Sequence, residues 1–178
     1  AKAKGRTVVL PEGTEPRSIQ ATGMLMAQKI AKVVLLGDLK KIESLAEEHK
    51  VSLEGVEMIN PESSPDYKAY VDEYMELRKS KGMSEADARK AIASPLYFGA
   101  MLVRRDKAGA SVAGAINTTG DVLRAAIQVI GLKPGINTVS SSFLMTIPKF
   151  REVQNKVFVF ADCAVVPNPT AEQLASIA

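Results

Sequence analysis

The chain has 178 residues, of which 46% are hydrophobic and 24% charged, a balance typical of a soluble globular protein with a buried core. Its 23 basic and 20 acidic residues leave a net charge of +3, which is too small and too dispersed to favour nucleic acid or an anionic membrane as a partner. No apolar run reaches the roughly 18 residues of a spanning helix, and the first residues lack the order of a signal peptide.

The first half of the chain alternates short β-branched or apolar runs with longer amphipathic stretches. In chain order it predicts strand 7–10, helix 15–30, strand 33–36, a helix that begins after Asp38, and strand 56–59. Three further helices begin near Ser64, Ser84 and Ser94. This alternation is typical of βαβ units, so we predict an α/β fold with three α/β/α layers and a mainly parallel sheet.

The second half begins with a small-residue strand over 110–115, followed by helix 119–130. Strands 138–146 and 156–161 come next, and loop 147–155 would let them pair in antiparallel fashion. Within them, the charge-poor run 157–161 has the composition of a buried strand. Thr170 begins a last helical pattern that has no capping signal at Ala178. We therefore expect a first domain over 1–135 and the truncated start of a second over 136–178.

The segment 114–124 passes from a strand through a small polar turn into a helix. The start of a helix carries N–H groups without intrahelical partners and a partial positive charge, and both favour a bound anion. Thr118 and Thr119 add hydroxyl donors, and Gly120 lets the backbone approach a ligand closely. The segment matches neither the dinucleotide fingerprint nor the nucleotide P-loop. It predicts an anion site without specifying the ligand.

Two arginines are candidates for the same anion. Arg124 lies in a helix that is apolar almost all round, which predicts burial and therefore a partner for its charge. That partner is either the anion at the helix start or Asp121, three residues earlier. Arg78 follows Tyr74 by four residues on an apolar helix face, and it is either a second anion ligand or a cation favoured by the helix dipole. Two arginines on one phosphoryl group would clamp its charge.

Further candidates lie at the ends of strands. Ser140 and Ser141 would donate hydrogen bonds to a ligand, or they serve only the strand edge. Asp162 follows a predicted buried strand, where α/β sheets place ligand residues, or it caps a turn. Glu12 follows the first strand and leaves the same two alternatives open.

The single cysteine and the single histidine limit redox and metal chemistry. Cys163 has no partner for an internal disulfide, which favours a reducing compartment and a cytoplasmic protein. His49 has neither a cysteine cluster nor a second imidazole with which to share zinc, so we expect no metal.

Four segments of the chain stand out together: VLPE at 9–12, EYMELRKSKG at 73–82, GAINTTGDVLR at 114–124 and FVFADC at 158–163. Together they resemble the phosphate acetyltransferase (phosphotransacetylase) family. The likeness covers essentially the whole chain, and the second and third segments together are specific to the phosphate acetyl/butyryl transferase group. The resemblance implies a fold of the isocitrate/isopropylmalate dehydrogenase type. It also implies that the chain is the N-terminal portion of a polypeptide roughly twice as long.

The resemblance implies reversible transfer of an acetyl group between coenzyme A and inorganic phosphate. It implies small-molecule substrates, with coenzyme A as a substrate and no cofactor, and a homodimer. Arg78 and Arg124 match active-site arginines that hold the phosphate. The family's phosphate-contacting turn corresponds to Asn117, Thr118, Thr119 and Gly120. No residue matches the family's catalytic aspartate and serine, so we expect the chain by itself to be inactive.

Two alternative functions remain open at this stage. A phosphate butyryltransferase would differ in the volume of its acyl pocket. A regulatory module of the kind appended to bacterial malic enzymes would bind acyl-CoA or acetyl phosphate without catalysis. Retention of both arginines favours catalysis over the regulatory module.

Overall fold

The computed structural model describes residues 5–178, which form two compact units divided between Gly131 and Leu132. The first unit contains the strands β1 (Thr7–Leu10), β2 (Lys32–Leu36), β3 (Glu57–Ile59) and β4 (Ala110–Ser111). Its helices are α1 (Pro16–Ala27), α2 (Leu39–Glu48), α3 (Tyr67–Arg78), α4 (Glu85–Ala93), α5 (Pro95–Arg104) and α6 (Thr119–Val129). The second unit contains β5 (Ser142–Phe150), β6 (Val153–Ala161) and α7 (Ala171–Ile177). The division falls four residues before the predicted boundary at 135.

The strands of the first unit form one parallel sheet in the order β3-β2-β1-β4. Successive side chains of a strand point to opposite faces, and both faces of this sheet are covered. One face carries Val9, Val34 and Leu36 into a core shared with α3 to α6. The other carries Leu10, Val33 and Leu35 into a core shared with α1 and α2. The predicted α/β fold with a mainly parallel sheet flanked by helices is confirmed.

Large side chains fix α3 and α5 on their face of the sheet. Tyr74, Phe98 and Met101 are at most 1% exposed, and the rings of Tyr70 and Phe98 lie 5.0 Å apart. Burial of an apolar side chain of this size contributes about 1.5–3 kcal/mol. The buried Tyr74 lies one turn before Arg78, the last residue of α3.

Polar caps set the helix starts, as the sequence predicts. The Asp38 carboxylate accepts a hydrogen bond from Lys41 N at 2.9 Å and begins α2, while Glu15 caps α1. The predicted helix 15–30 ends early, at Ala27, because Lys29 takes a left-handed φ of 52°. Gly82 adopts φ 70° and ends the short 3₁₀ turn after α3, a conformation that glycine adopts without steric cost.

In the second unit, β5 and β6 form an antiparallel hairpin in which Phe143 faces Phe160. The predicted pairing is correct, but β5 lies four residues later than the predicted strand 138–146, and β6 begins three residues before the predicted strand 156–161. Because Arg151 takes a φ of 54°, the chain reverses at residues 151–152 and loop 147–155 is not formed. The prediction that run 157–161 is buried is wrong: Val159 is 64% exposed. A two-stranded hairpin leaves both faces open unless another layer covers them.

Candidate anion-binding site

The start of α6 presents backbone donors, as predicted. Thr118 is the cap: its hydroxyl accepts from Asp121 N at 3.2 Å and donates to Asp121 Oδ2 at 2.6 Å. Within residues 5–178, the N–H groups of Thr119 and Gly120 donate no hydrogen bond. A Cβ on Gly120 would meet only the Thr118 hydroxyl, at 3.7 Å. The first turn therefore has unused donors and open space beside them.

The turn before α6 is organised by Glu12, which lies just after β1 and is only 5% exposed. Its Oε2 accepts from Gly114 N at 2.9 Å and Ala115 N at 2.7 Å. Its Oε1 accepts from Ile116 N at 3.0 Å and from both Asn117 N and Asn117 Nδ2 at 2.8 Å. One carboxylate thus takes five hydrogen bonds from four consecutive residues.

These hydrogen bonds keep Glu12 ionised. Burial by itself would raise the pKa, but the N–H groups of residues 115–117 outweigh it and lower the pKa of Glu12 to about 2. The predicted strand 110–115 ends at Ser111 because the following N–H groups turn towards this carboxylate instead of continuing the ladder. Both Asn117 donors are engaged by Glu12, so an anion at this residue would compete with the carboxylate.

Glycine brings the end of β1 against the end of β2. Gly13 N donates to Leu36 O at 3.0 Å, and a Cβ on Gly13 would lie 2.7 Å from that oxygen. Beside this contact is a cavity of about 320 Å³, lined by Glu12, Gly37, Lys41, Ser94 and Asn117 among others. It lies outside the carboxyl ends of β1 and β2, the edge at which α/β sheets bind ligands.

Arg124 lies on the solvent side of α6, with 59% of its side chain exposed, and its Nη1 is 2.9 Å from Asp121 Oδ1. The prediction that this helix is buried on most sides is wrong, since Ile127 and Ile130 are each 42% exposed. The reason is that α6 packs by one face against α3 and α5. Of the two partners left open by the sequence, the structure shows the Asp121 carboxylate. The Thr118 hydroxyl and the Arg124 charge lower the pKa of that carboxyl.

Arg78 ends α3 with a buried Nε that has no hydrogen-bond partner. Within the described chain it forms no ion pair with a carboxylate. Its charge and that of Arg124 both act on Tyr97: burial raises the pKa of this phenol, and Arg124 and Arg78 oppose the rise. The helices that carry the two arginines, α3 and α6, pack against each other.

The candidates of the second unit are engaged in a loop. Asp162 Oδ1 accepts from Ser141 N at 2.6 Å and from the Ser141 hydroxyl at 2.9 Å. Its Oδ2 accepts from Val165 N at 2.9 Å and Val166 N at 2.7 Å. Hydrogen bonds from Ser141 N and Val166 N hold the pKa of Asp162 far below its usual range. The side chain of Ser140 forms no hydrogen bond inside the 5–178 range. Both Ser141 and Asp162 thus shape the chain after β6.

Sequence reasoning named Glu12 without its role and did not find Gln128 or Tyr97. The hydroxyls of Tyr74 and Tyr97 both donate to Gln128 Oε1, at 2.6 and 3.1 Å. The available signal was spacing: Gln128 is the polar residue one turn after Arg124 on an otherwise apolar helix.

Two negative observations apply to the described residues. No group of three or more His, Cys, Asp and Glu side chains between residues 5 and 178 is arranged to hold a metal ion. None of the helices in this range has both the length and the apolarity needed to cross a bilayer.

Together the fold and the site define an α/β protein with a parallel sheet flanked by helices, in which the first turn of α6 carries N–H groups that are unused within residues 5–178. The sequence pattern of the phosphate acetyl/butaryl transferase family matches residues 1–178. The chain therefore belongs to this family. This confirms the family resemblance of the four sequence segments.

Relatives of known name agree with the family. Over 178 residues the chain is 46% identical to a phosphate acetyltransferase of Acetivibrio thermocellus, matching 100% of this chain and 53% of that protein. It is 43% identical to a phosphate acetyltransferase of Thermoanaerobacterium thermosaccharolyticum, matching 100% of this chain and 54% of that protein. The solved EutD phosphotransacetylase from Staphylococcus aureus superposes with a TM-score of 0.84 at 36% identity, covering 97% of this chain and 50% of that structure. The chain thus spans about half the length of these relatives.

Proposed function

We propose that the chain is the phosphate-binding part of a phosphate acetyltransferase, which interconverts acetyl-CoA plus phosphate and acetyl phosphate plus CoA. The observation that carries the proposal is the match along all 178 residues to relatives named phosphate acetyltransferase. In this reaction the CoA thiolate attacks the acetyl carbonyl of acetyl phosphate and phosphate leaves; the reverse reaction exchanges the two roles. Positive groups at the phosphate stabilise both the bound anion and the charge that develops during transfer.

Arg78 and Arg124 supply that charge in the proposal. Arg78 has a buried Nε without an acceptor, and a phosphate oxygen would satisfy it. Arg124 pairs with Asp121 in the structure. With phosphate bound, its guanidinium would pair with the more highly charged phosphate, either instead of Asp121 or in addition to it. A guanidinium suits this task because its planar N–H groups can bind two oxygens at once.

Within the polar turn, Thr119 and Gly120 are the proposed direct donors, because their N–H groups are unused in the described chain. Asn117 and Thr118 would act in support, through Glu12 and Asp121 respectively. We assign no substrate contact to Ser140, Ser141 or Asp162, since the last two are hydrogen-bonded to each other and to their own loop.

The proposal includes acetyl rather than butyryl transfer, because the curated relatives are named phosphate acetyltransferases. Nothing in these names favours the regulatory module. A homodimer and the use of coenzyme A as a substrate, without a further cofactor, are supported by the family resemblance. A cytoplasmic location is supported by the single cysteine.

The test uses the polypeptide encoded by the complete reading frame that contains these residues. Acetyl phosphate formation from acetyl-CoA and phosphate is compared for the wild type, Arg78→Ala and Arg124→Ala. Each substitution is expected to lower kcat/KM by about 10²–10³-fold, the scale of one lost charge-stabilising group. Arg89→Ala is the matched control, because Arg89 lies on α4 and pairs with Glu85 at 2.7 Å.

Absence of acetyl phosphate formation by the wild type would overturn the proposed activity. Activity that survives both arginine substitutions would overturn the proposed roles of these residues. The chain of residues 1–178 alone, assayed in parallel, is expected to show no turnover.

A further inference from the structure

One amide oxygen joins three helices, two of which carry the arginines. Gln128 on α6 accepts through Oε1 from the hydroxyl of Tyr74 on α3, at 2.6 Å, and from that of Tyr97 on α5, at 3.1 Å. Tyr74 is 1% exposed, and the two rings pack edge to face with centroids 5.7 Å apart. The hydrogen bonds from Tyr74 and Tyr97 to Gln128, called the link below, therefore lie among packed and largely buried side chains.

The helical spacing places each arginine one turn from this link. Arg78 follows Tyr74 by four residues on α3, and Gln128 follows Arg124 by four residues on α6. Residues four apart lie on the same face of a helix, about 5–6 Å from each other. The Tyr74–Gln128 hydrogen bond thus links α3 and α6 at points one turn from each arginine.

The hydroxyls that make the link are permanent donors. Burial raises the pKa of Tyr74 to about 12, and the neighbouring Tyr97 adds to this while Arg78 opposes it. Burial also raises the pKa of Tyr97. Both phenols therefore remain protonated at neutral pH and continue to donate to the amide oxygen.

Residue 128 has to accept two hydroxyl hydrogen bonds without carrying a negative charge next to an anion site. A carboxylate could accept both hydroxyl donors, but it would pair with the guanidinium groups and repel an incoming anion. The glutamine oxygen fills the same role without a charge. Its Nε2 group donates no hydrogen bond among the described residues, so the amide is held through its oxygen alone.

We propose that Gln128 is a positioning residue for the phosphate site, which holds Arg78 and Arg124 at the spacing of one bound oxyanion through the hydroxyls of Tyr74 and Tyr97. The inference rests on the proposed function for the identity of the anion. Beyond that function, the inference explains how Arg78 on α3 and Arg124 on α6 are positioned for one ligand before it binds.

The experiment uses Gln128→Met in the polypeptide of the complete reading frame. Methionine has a similar size but cannot replace the amide as acceptor for the two hydroxyls. The KM for phosphate is expected to rise about tenfold or more, which corresponds to about 1.4 kcal/mol of binding, while the KM for acetyl-CoA stays within about twofold. Gln20→Met on α1, at an exposed glutamine, is the control and should change neither constant.

Two further variants separate positioning from general stability. Tyr97→Phe removes one of the two donors and should raise the KM for phosphate less than Gln128→Met does. Gln128→Glu keeps an acceptor for both hydroxyls and should retain the melting temperature while the KM for phosphate rises. An equal fall in activity towards both substrates, in proportion to lost folded protein, would overturn the inference.

Direct binding of inorganic phosphate, measured by calorimetry on the same proteins, keeps the two proposals apart. Weaker binding by Gln128→Met than by the wild type supports the positioning role even if no acetyl phosphate is formed, in which case only the proposed reaction fails. Equal phosphate binding by the wild type and Gln128→Met overturns the positioning role whatever the activity. A wild type that binds no phosphate overturns both.

Discussion

Replacing Glu12 with glutamine tests how far the turn before α6 depends on one buried charge. Oε1 accepts three of the five hydrogen bonds and Oε2 accepts two. A glutamine keeps one oxygen and turns an NH₂ group towards N–H donors at the other position. The lowering of the pKa from 4.5 to about 2 corresponds to about 3 kcal/mol in favour of the charged carboxylate in the folded chain. We expect Glu12→Gln to lower the free energy of unfolding at pH 7 by about this amount.

The pH dependence gives the prediction its sign. Because the folded-state pKa of Glu12 is below the ordinary value of 4.5, its stabilisation is complete above pH 4.5 and is lost as the pH falls towards about 2. The difference between the wild type and Glu12→Gln in urea unfolding should therefore shrink in acid. Amide hydrogen exchange at Ile116 and Asn117 should report the same loss locally.

Glu43→Gln is the matched control, because Glu43 is an exposed residue of α2 and its substitution should leave stability nearly unchanged. A Glu12→Gln difference below about 1 kcal/mol at pH 7 would refute the reasoning, since that is the scale of a single neutral hydrogen bond. A difference that stays constant down to about pH 3 would refute the assignment to the ionised carboxylate.

Three further outcomes follow from named contacts. Thr118→Ala removes the cap of α6 and should cost about 1 kcal/mol in urea unfolding, whereas Thr118→Ser should cost much less. Phe98→Ala empties a site that is 0% exposed and should cost about 3–5 kcal/mol in the same assay. Asp162→Ala removes the carboxylate oxygen that accepts from Val165 N and Val166 N, so these two amides should exchange hydrogen faster, as measured by NMR.

Each of these outcomes has a contrary result. Equal stability of the alanine and serine variants at residue 118 would deny a capping role for the hydroxyl. A cost below about 2 kcal/mol for Phe98→Ala would mean that the core closes around the vacated space. Unchanged exchange at Val165 and Val166 would mean that Asp162 does not hold their N–H groups.

The layered fold follows from the sequence because its signals are local and repeated. The apolar runs at 7–10 and 33–36 became β1 and β2, with alternate side chains in two different cores. Asp38 was recognisable as a cap because a short polar side chain at a helix start accepts a hydrogen bond from the first turn. Thr118 was predicted to donate to a ligand, and the structure shows that it caps α6. The family resemblance added the function class, which periodicity does not supply.

The contacts of the site could not be read in the same way. The link from Glu12 to the turn 114–117 joins segments that are 102–105 residues apart, and no local pattern encodes it. The partner of Arg124 depends on how exposed α6 is. The hydrophobic pattern alone predicted that α6 is buried on most sides, whereas Arg124 is 59% exposed and pairs with Asp121. The burial of run 157–161 was predicted from composition, although the layer that covers a strand is a property of its neighbours.

The long separation between Glu12 and its turn has a consequence for folding kinetics. Closing a loop of this length is entropically costly. The contact between Glu12 and residues 114–117 is therefore not expected to form early and by itself, as a local hairpin can. In the folded chain β1 pairs with β4, and this pairing brings Glu12, just after β1, next to the turn that follows β4. During refolding, phosphate binding should then recover later than the helical circular dichroism signal. The time at which phosphate binding recovers would therefore report when the sheet has assembled.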